Sequence, residues 1–252
     1  MRIIIKTSDE QEAMRKSGQI LAEALDEVVK HAKAGISTWE LDQIAEDLIR
    51  RRGGIPGFKG YHGFPATICS AVDEIIVHGI PSKNQVLKNG DLFTVDCGVI
   101  YKGMNSDAAR SVGIGEISSE KSKLIKTAYE ALSRGTDMAK PGNHVSEISK
   151  VIGETIDRAG FKVIHNLTGH GIGHTLHEDP MVLNYWDGSR GPILKPGMAI
   201  AIEPIFSVST HEMVTLDDNW TIVTDDNSCS VQVENTILIT ENGNEILTTQ
   251  NK

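Results

Sequence analysis

The chain has 252 residues, 39% hydrophobic and 23% charged, the composition of an ordinary folded protein with room for a sizeable core. A formal charge of −9, with no Lys/Arg-rich run beyond Arg50-Arg51-Arg52, argues against a nucleic-acid groove, and no apolar run approaches the length of a membrane span. Three scattered cysteines, Cys69, Cys97 and Cys229, exclude a disulfide framework or a thiolate metal knuckle; with only Ile3-Ile4-Ile5 as an apolar leader, the chain reads as cytoplasmic.

Ile20, Leu21, Ala24, Leu25 and Val28 recur at helical spacing and predict a first amphipathic helix. A second carries Leu41, Ile44, Ala45, Leu48 and Ile49 on one face. It starts with a capping box, Ser37-x-x-Glu40, and ends on Arg50-Arg51-Arg52, a solvated cluster that offsets the helix dipole. Residues 92–100 and 107–112 then read as strands joined by a two-residue turn at Lys102-Gly103. Leu124, Ile125, Ala128 and Leu132, followed by Ile148, Val151, Ile152 and Ile156, mark another pair of helices, and residues 231–239 read as one clear strand.

The second set of elements repeats the first. Leu87-Lys88-Asn89-Gly90 leads through an apolar run to Asp96, and Leu194-Lys195-Pro196-Gly197 leads through another to Glu203, 107 residues later. The same offset relates Ala32-Lys33-Ala34-Gly35 to Ala139-Lys140-Pro141-Gly142, and Glu40, Arg51 and Gly53 to Glu147, Arg158 and Gly160. Helices segregated from antiparallel strands make an α+β fold. No Pro/Ser-rich linker separates the copies, so residues 1–252 read as a single domain with an internal repeat of roughly 8–113 and 118–240. A cleft between such halves is the natural place for a site.

The carboxylates point to that cleft. With the turn at Lys102-Gly103, Asp107 faces Gly98, and Asp96 is its diagonal neighbour on the same sheet face. Gly98 leaves space between them. Taken alone, the pair fits an exposed hairpin face equally well. Glu203 is the repeat partner of Asp96, however, and Glu234 becomes the counterpart of Asp107 if the second half carries an insertion of about 20 residues. Four acids, two from each half, then converge, and such a set repels itself unless a cation is present. Gly169-His170-Gly171-Ile172-Gly173-His174-Thr175-Leu176-His177 adds imidazoles among glycines that permit close backbone approach and disfavour a helix. His78 stands at Val77-His78-Gly79-Ile80-Pro81. The residues by themselves point to an oxygen-rich binuclear metal site with one or more imidazoles, a set that suits Mn, Fe, Co or Zn.

At this point essentially the whole chain resembles the type I methionine aminopeptidases. The matching segments, in order, are Gly60-Tyr61-His62-Gly63-Phe64-Pro65, His78-Gly79-Ile80-Pro81, Asp96 with Asp107, 169–180, Pro196-Gly197-Met198 to Glu203-Pro204, and Ser230-x-Gln232-x-Glu234-Asn235-Thr236. The resemblance implies the duplicated pita-bread fold, a curved antiparallel sheet core with two helix pairs outside, shared with prolidase and creatinase. It implies two divalent ions (Co, Fe, Mn or Zn) on Asp96, Asp107, His170, Glu203 and Glu234, with Asp107 and Glu234 bridging. His78 and His177 become substrate-facing catalytic residues, Glu203 the proton shuttle, and His174 a neighbour only. The methionine pocket falls on Phe58, Tyr61, Phe64, Cys69, Leu176 and Trp220, beside His78 and His177.

The resemblance further implies a monomer that trims nascent chains and N-terminal Met peptides at the ribosome, with no nucleic-acid substrate and no membrane. The absence of a Cys/His-rich extension and of a helical insertion between His177 and Glu203 matches the minimal bacterial form. Three positions depart from the family: Leu176 where Phe is common, Phe58 where a smaller residue is, and Asn235 where His often occurs. The rival readings are an Xaa-Pro aminopeptidase or dipeptidase on the same fold, and a non-catalytic pita-bread binding protein.

Overall fold

The structure is a computed structural model that describes residues 3–249. In the first half, α1 (Ser8–His31) and α2 (Thr38–Arg51) precede β1 (Ile55–Pro56), β2 (Ile68–Val72), β3 (Ile75–Val77), β4 (Leu92–Tyr101) and β5 (Met104–Gly113). In the second half, α3 (Ser119–Met138) and α4 (Val145–Ala159) precede β6 (Lys162–Val163), β7 (Gly169–Gly171), β8 (Glu178–Val182), β9 (Ala199–Ile202) and β10 (Ile205–Ser207). The chain closes with β11 (Met213–Thr215), β12 (Ile222–Thr224), β13 (Ser230–Gln232), β14 (Asn235–Thr240) and β15 (Gly243–Ile246). The strand pairs described are all antiparallel.

The helices form where their caps and apolar faces require. Ser37 and Glu40 exchange the reciprocal bonds of a capping box, and Thr7 with Glu10 builds a second one at the start of α1. Ile20, Leu21, Ala24, Leu25 and Val28 of α1 are all buried, packed with Leu41, Ala45 and Ile49 of α2 on Phe93, Val95, Cys97 and Val99 of β4. The second half has a core of its own, in which Leu124, Ala128, Ile148, Ile152 and Ile156 meet Ile200, Ile202, Phe206 and Ile237. Burying each Leu, Ile or Phe of these cores contributes about 1.5–3 kcal/mol, so each helix pair is held by its own sheet.

The repeat is visible in the backbone itself. An isolated bridge joins Ser37 to Val86 and another joins His144 to Ile193; 144 lies 107 beyond 37, and 193 lies 107 beyond 86. Gly35 N–H donates to the Leu87 carbonyl just as Gly142 N–H donates to that of Leu194, and both glycines hold positive φ, 95° and 91°. The offset changes after β10. There the chain leaves the sheet for the β11–β12 hairpin before returning as β13, and this hairpin is the insertion that separates Glu234 from its counterpart.

Two details differ from the sequence reading. Residues 231–239 are not one strand: β13 ends at Gln232 and β14 begins at Asn235, with Val233 and Glu234 between them. At this break the second half turns onto the first. Glu234 N–H donates to the Ala109 carbonyl (3.1 Å), and Arg110 donates to the carbonyl of Glu234 (2.7 Å). Second, the space left by Gly98 is filled, because a side chain there would meet the Phe58 ring at 2.7 Å.

Thr236 fastens the two halves at this seam. Its hydroxyl accepts from Asp107 N–H (2.9 Å) and donates to the Asp107 carbonyl (2.8 Å), fully buried. Thr236→Val leaves both backbone groups unsatisfied and is expected to lower folding stability by about 1–3 kcal/mol, measured by urea denaturation.

Candidate metal centre and substrate cavity

The register of β4 on β5 is the expected one: Gly98 pairs with Asp107, and Asp96 pairs with Ala109. Asp96 and Asp107 therefore project from one face of the sheet, and both are buried, which removes the exposed-hairpin alternative. Glu203 follows the last residue of β9, where Pro204 breaks the strand before β10. Glu234 lies in the break between β13 and β14, and His170 occupies the centre of β7, paired to Ala201 of β9. The glycines around His170 serve close approach. A side chain at Gly169 would strike the Ala201 carbonyl at 2.4 Å, and one at Gly171 the Asp179 carbonyl at 2.1 Å.

These elements enclose a cavity of about 290 Å³. Asp96, Asp107, His170, Glu203 and Glu234 line one end, while Phe58, Tyr61, Phe64, Cys69, His78, Leu176, His177 and Trp220 line the rest. Sequence reasoning did not assign Val77, Asn166, Leu167, Thr168, Ile205 or Gln232 to this wall. Gln232 carried a usable signal, since it stands two residues before Glu234. The others sit on loops and short strands whose positions only the tertiary structure fixes.

The electrostatics of the acidic end call for a cation. Nδ1 of His170 is 2.8 Å from the Gly171 carbonyl, which can only accept, so Nδ1 carries the proton and Nε2 carries a lone pair. That lone pair faces Glu203 Oε1 at 3.5 Å and Asp107 Oδ2 at 3.9 Å. Burial, then the neighbouring His177, hold His170 down at about 3, so the imidazole is not itself the missing charge. Burial pushes Asp96 up to about 7. It also raises Asp107, Glu203 and Glu234 well above the carboxylate range, each further raised by its acidic neighbours.

The protein satisfies this cluster incompletely. The Gln232 amide reaches Asp96 and Glu203 at 3.4 Å and Glu234 at 3.5 Å, and two N–H groups cannot serve three carboxylates fully. One oxygen each of Asp96, Asp107 and Glu234 is buried with no hydrogen-bond partner. Asp107, His170 and Glu234 each offer a ligand atom within 4.8 Å of the others; Asp96 and Glu203 join this trio through the Gln232 amide. Oxygen donors plus one imidazole lone pair, left unsatisfied together, fit a divalent metal ion.

His78 and His177 occupy the cavity wall as neutral groups, each lowered chiefly by burial. His78 directly follows β3 and holds φ 59°, a left-handed conformation uncommon outside glycine, and its ring stands edge-on to Trp220 at 6.3 Å. His177 Nδ1 is 2.9 Å from the Tyr61 hydroxyl. Trp220 and Phe64 meet edge to face at 5.1 Å, and Phe58, Phe64, Cys69 and Leu176 are buried. His174 is elsewhere, with Nε2 2.6 Å from Glu10 at the start of α1. Asn235 accepts from both Arg110 and Thr248, away from the cavity.

Fold and site together define a metal-dependent enzyme. The sequence profile of metallopeptidase family M24 matches residues 12–241. A protein of Clostridium acetobutylicum named methionine aminopeptidase is 48% identical over 98% of both chains. The crystal structure of methionine aminopeptidase from Thermotoga maritima superposes with a TM-score of 0.97 at 40% identity, covering 99% of this chain and 100% of that one. Prolidase from Pyrococcus furiosus superposes at 0.80 and 28% identity, with 99% of this chain covering 66% of that one. The chain belongs to metallopeptidase family M24, and its duplicated α+β architecture is that family's pita-bread fold.

The raised carboxylates give the metal-free protein a definite pH response. The native state holds more protons than the unfolded chain between about 4, the ordinary carboxylate value, and about 7, where Asp96 titrates. Stability without metal is therefore expected to fall as pH rises through this window. Thermal melts with and without a divalent cation check this: the cation should raise the Tm most at the upper end. Asp107→Asn should raise the metal-free Tm and abolish the cation's effect.

Proposed function

We propose that this enzyme hydrolyses the N-terminal methionine from peptides and nascent proteins whose second residue is small and uncharged. The observation that carries the reading is a single cavity with an acidic, metal-suited end and an apolar, aromatic- and sulfur-lined remainder. An unbranched, polarisable thioether fits Phe58, Tyr61, Phe64, Cys69, Leu176 and Trp220. The free α-amine is drawn to the acidic end, which restricts cleavage to the first residue.

Asp96, Asp107, His170, Glu203 and Glu234 are the residues that would hold two divalent ions. When bound, such ions supply Lewis acidity toward the attacking water and the scissile carbonyl. Glu203 takes the proton from the attacking water and passes it to the leaving amine. His177, with Tyr61 donating to Nδ1, keeps its proton on Nε2 and donates it in a hydrogen bond to the carbonyl oxygen as negative charge develops. His78, neutral in the wall, bonds the scissile amide nitrogen. Action in the cytoplasm as a monomer, on chains emerging from the ribosome, completes the proposal; among the described residues no helix is long and apolar enough to cross a membrane.

The rival is an Xaa-Pro peptidase on the same fold, favoured by the resemblance to prolidase. Methionine release from Met-Ala-Ser, with Ala-Pro-Ala left intact, is the expected outcome; the reverse preference overturns the reading. Activity should vanish on chelation and return with single metals added back. His78→Ala should lose about 10²–10⁴-fold in turnover with metal content unchanged, whereas Asp107→Ala should lose metal and activity together. Loss of metal in His78→Ala would make His78 a ligand.

A further inference from the structure

Among the described residues, one Lys/Arg ion pair is buried at both ends, and it lies outside the acid cluster. Lys6 Nζ is 2.6 Å from Glu178 Oε2, with the two side chains only 1% and 4% exposed. Taking two such charges out of water costs more than an apolar pair of the same size, so its place in the fold is informative. Glu178 immediately follows His177.

Both ends of the pair are held. The N–H of Lys6 donates to the Gly197 carbonyl (2.8 Å), its carbonyl accepts from Gln11 (2.8 Å), and Nζ also donates to the Ile4 carbonyl (3.2 Å). Glu178 Oε1 accepts from Thr175 N–H (3.2 Å), the Thr175 hydroxyl donates to the His177 carbonyl (2.9 Å), and Gly173 N–H donates to the Thr175 carbonyl (3.1 Å). A side chain at Gly173 would sit 2.2 Å from Lys6 Cε, so glycine there makes room for the lysine stem. The loop from Gly173 to Glu178 is thus wound around one carboxylate whose counterion comes from the N-terminal segment. Of its remaining side chains, Leu176 and His177 face the cavity, while the His174 ring turns outward between Glu10 (2.6 Å) and Glu178 Oε1 (3.8 Å).

We infer that Lys6 is a positioning residue for the reaction: its ammonium fixes the Glu178 carboxylate and thereby places the His177 imidazole and Leu176 at the cavity. The inference rests on the methionine aminopeptidase reading only for its kinetic readout. Without the ammonium, Glu178 Oε2 loses its 2.6 Å partner, and the carboxylate keeps only the Thr175 N–H (3.2 Å) and the more distant His174 ring (3.8 Å), both on Oε1. The loop must then hold an under-compensated buried charge or open to hydrate it, and either course moves His177.

The test compares wild type, Lys6→Met, Glu178→Gln and the double variant as metal-loaded enzymes on Met-Ala-Ser, with metal content, Tm and the 15N spectrum of the histidines recorded. Lys6→Met is expected to lower kcat by about 10–100-fold, more than it raises KM, with metal content unchanged and the His177 ring nitrogens shifted. The double variant, which has no unpaired charge, should regain part of the lost kcat and part of the His177 signal. Wild-type kcat in folded Lys6→Met, a loss explained entirely by the unfolded fraction, or a double variant no better than Lys6→Met would overturn the inference. If wild type releases no methionine, the functional reading fails separately, and the His177 spectrum alone decides the role of Lys6.

Discussion

The organising constraint is the mutual repulsion of four carboxylates buried around one imidazole lone pair. Asp96, Asp107, Glu203 and Glu234 are all raised by burial, and His170 is too strongly desolvated to counter them with its own charge. A structure that assembles such a set must be held together elsewhere. The two separate hydrophobic cores do this, each pinning a helix pair to the strands that carry or flank two of the acids. At the seam, Thr236 and the Arg110 guanidinium tie the two sheets through backbone groups and leave the carboxylate oxygens free.

Duplication explains the symmetry of this arrangement, and departures from duplication explain its chemistry. Asp96 and Asp107 project from two continuous strands joined by a tight hairpin. Their counterparts stand at strand breaks, Glu203 before Pro204 and Glu234 between β13 and β14. Chain leaving the ladder at these points frees the side chains from the strict alternation of a strand and aims them at the first half. The histidines follow the same division, with His170 and His177 in the second half and His78 as the first half's contribution.

Much of this was legible in the chain. The 107-residue offset, the helix pairs, the Ser37 capping box and the hairpin register at Lys102-Gly103 depend on local signals, and the fold reproduces them. All the residues expected at the site line one cavity. What stayed hidden depended on contacts distant in sequence. The strand-like run of Val231, Val233 and Ile237-Leu238-Ile239 concealed the break at Glu234, because the Ala109 and Arg110 bonds that stabilise it come from the other half. The Phe58 ring over Gly98, and Lys6 beneath the His177 loop, are invisible for the same reason: nothing near either residue in the chain announces its partner.

The β11–β12 hairpin joins two functions that could have been separate. It carries Trp220, a wall of the apolar pocket, just before β12, and β12 pairs with β3, the strand that ends one residue before His78. Any lengthening, shortening or slippage of this hairpin shifts the pocket wall and the His78 backbone together. Selectivity for the side chain and geometry at the scissile bond are therefore mechanically coupled. Variation in the hairpin cannot retune the first without disturbing the second, which makes this insertion a conservative element of the design despite its position on a loop.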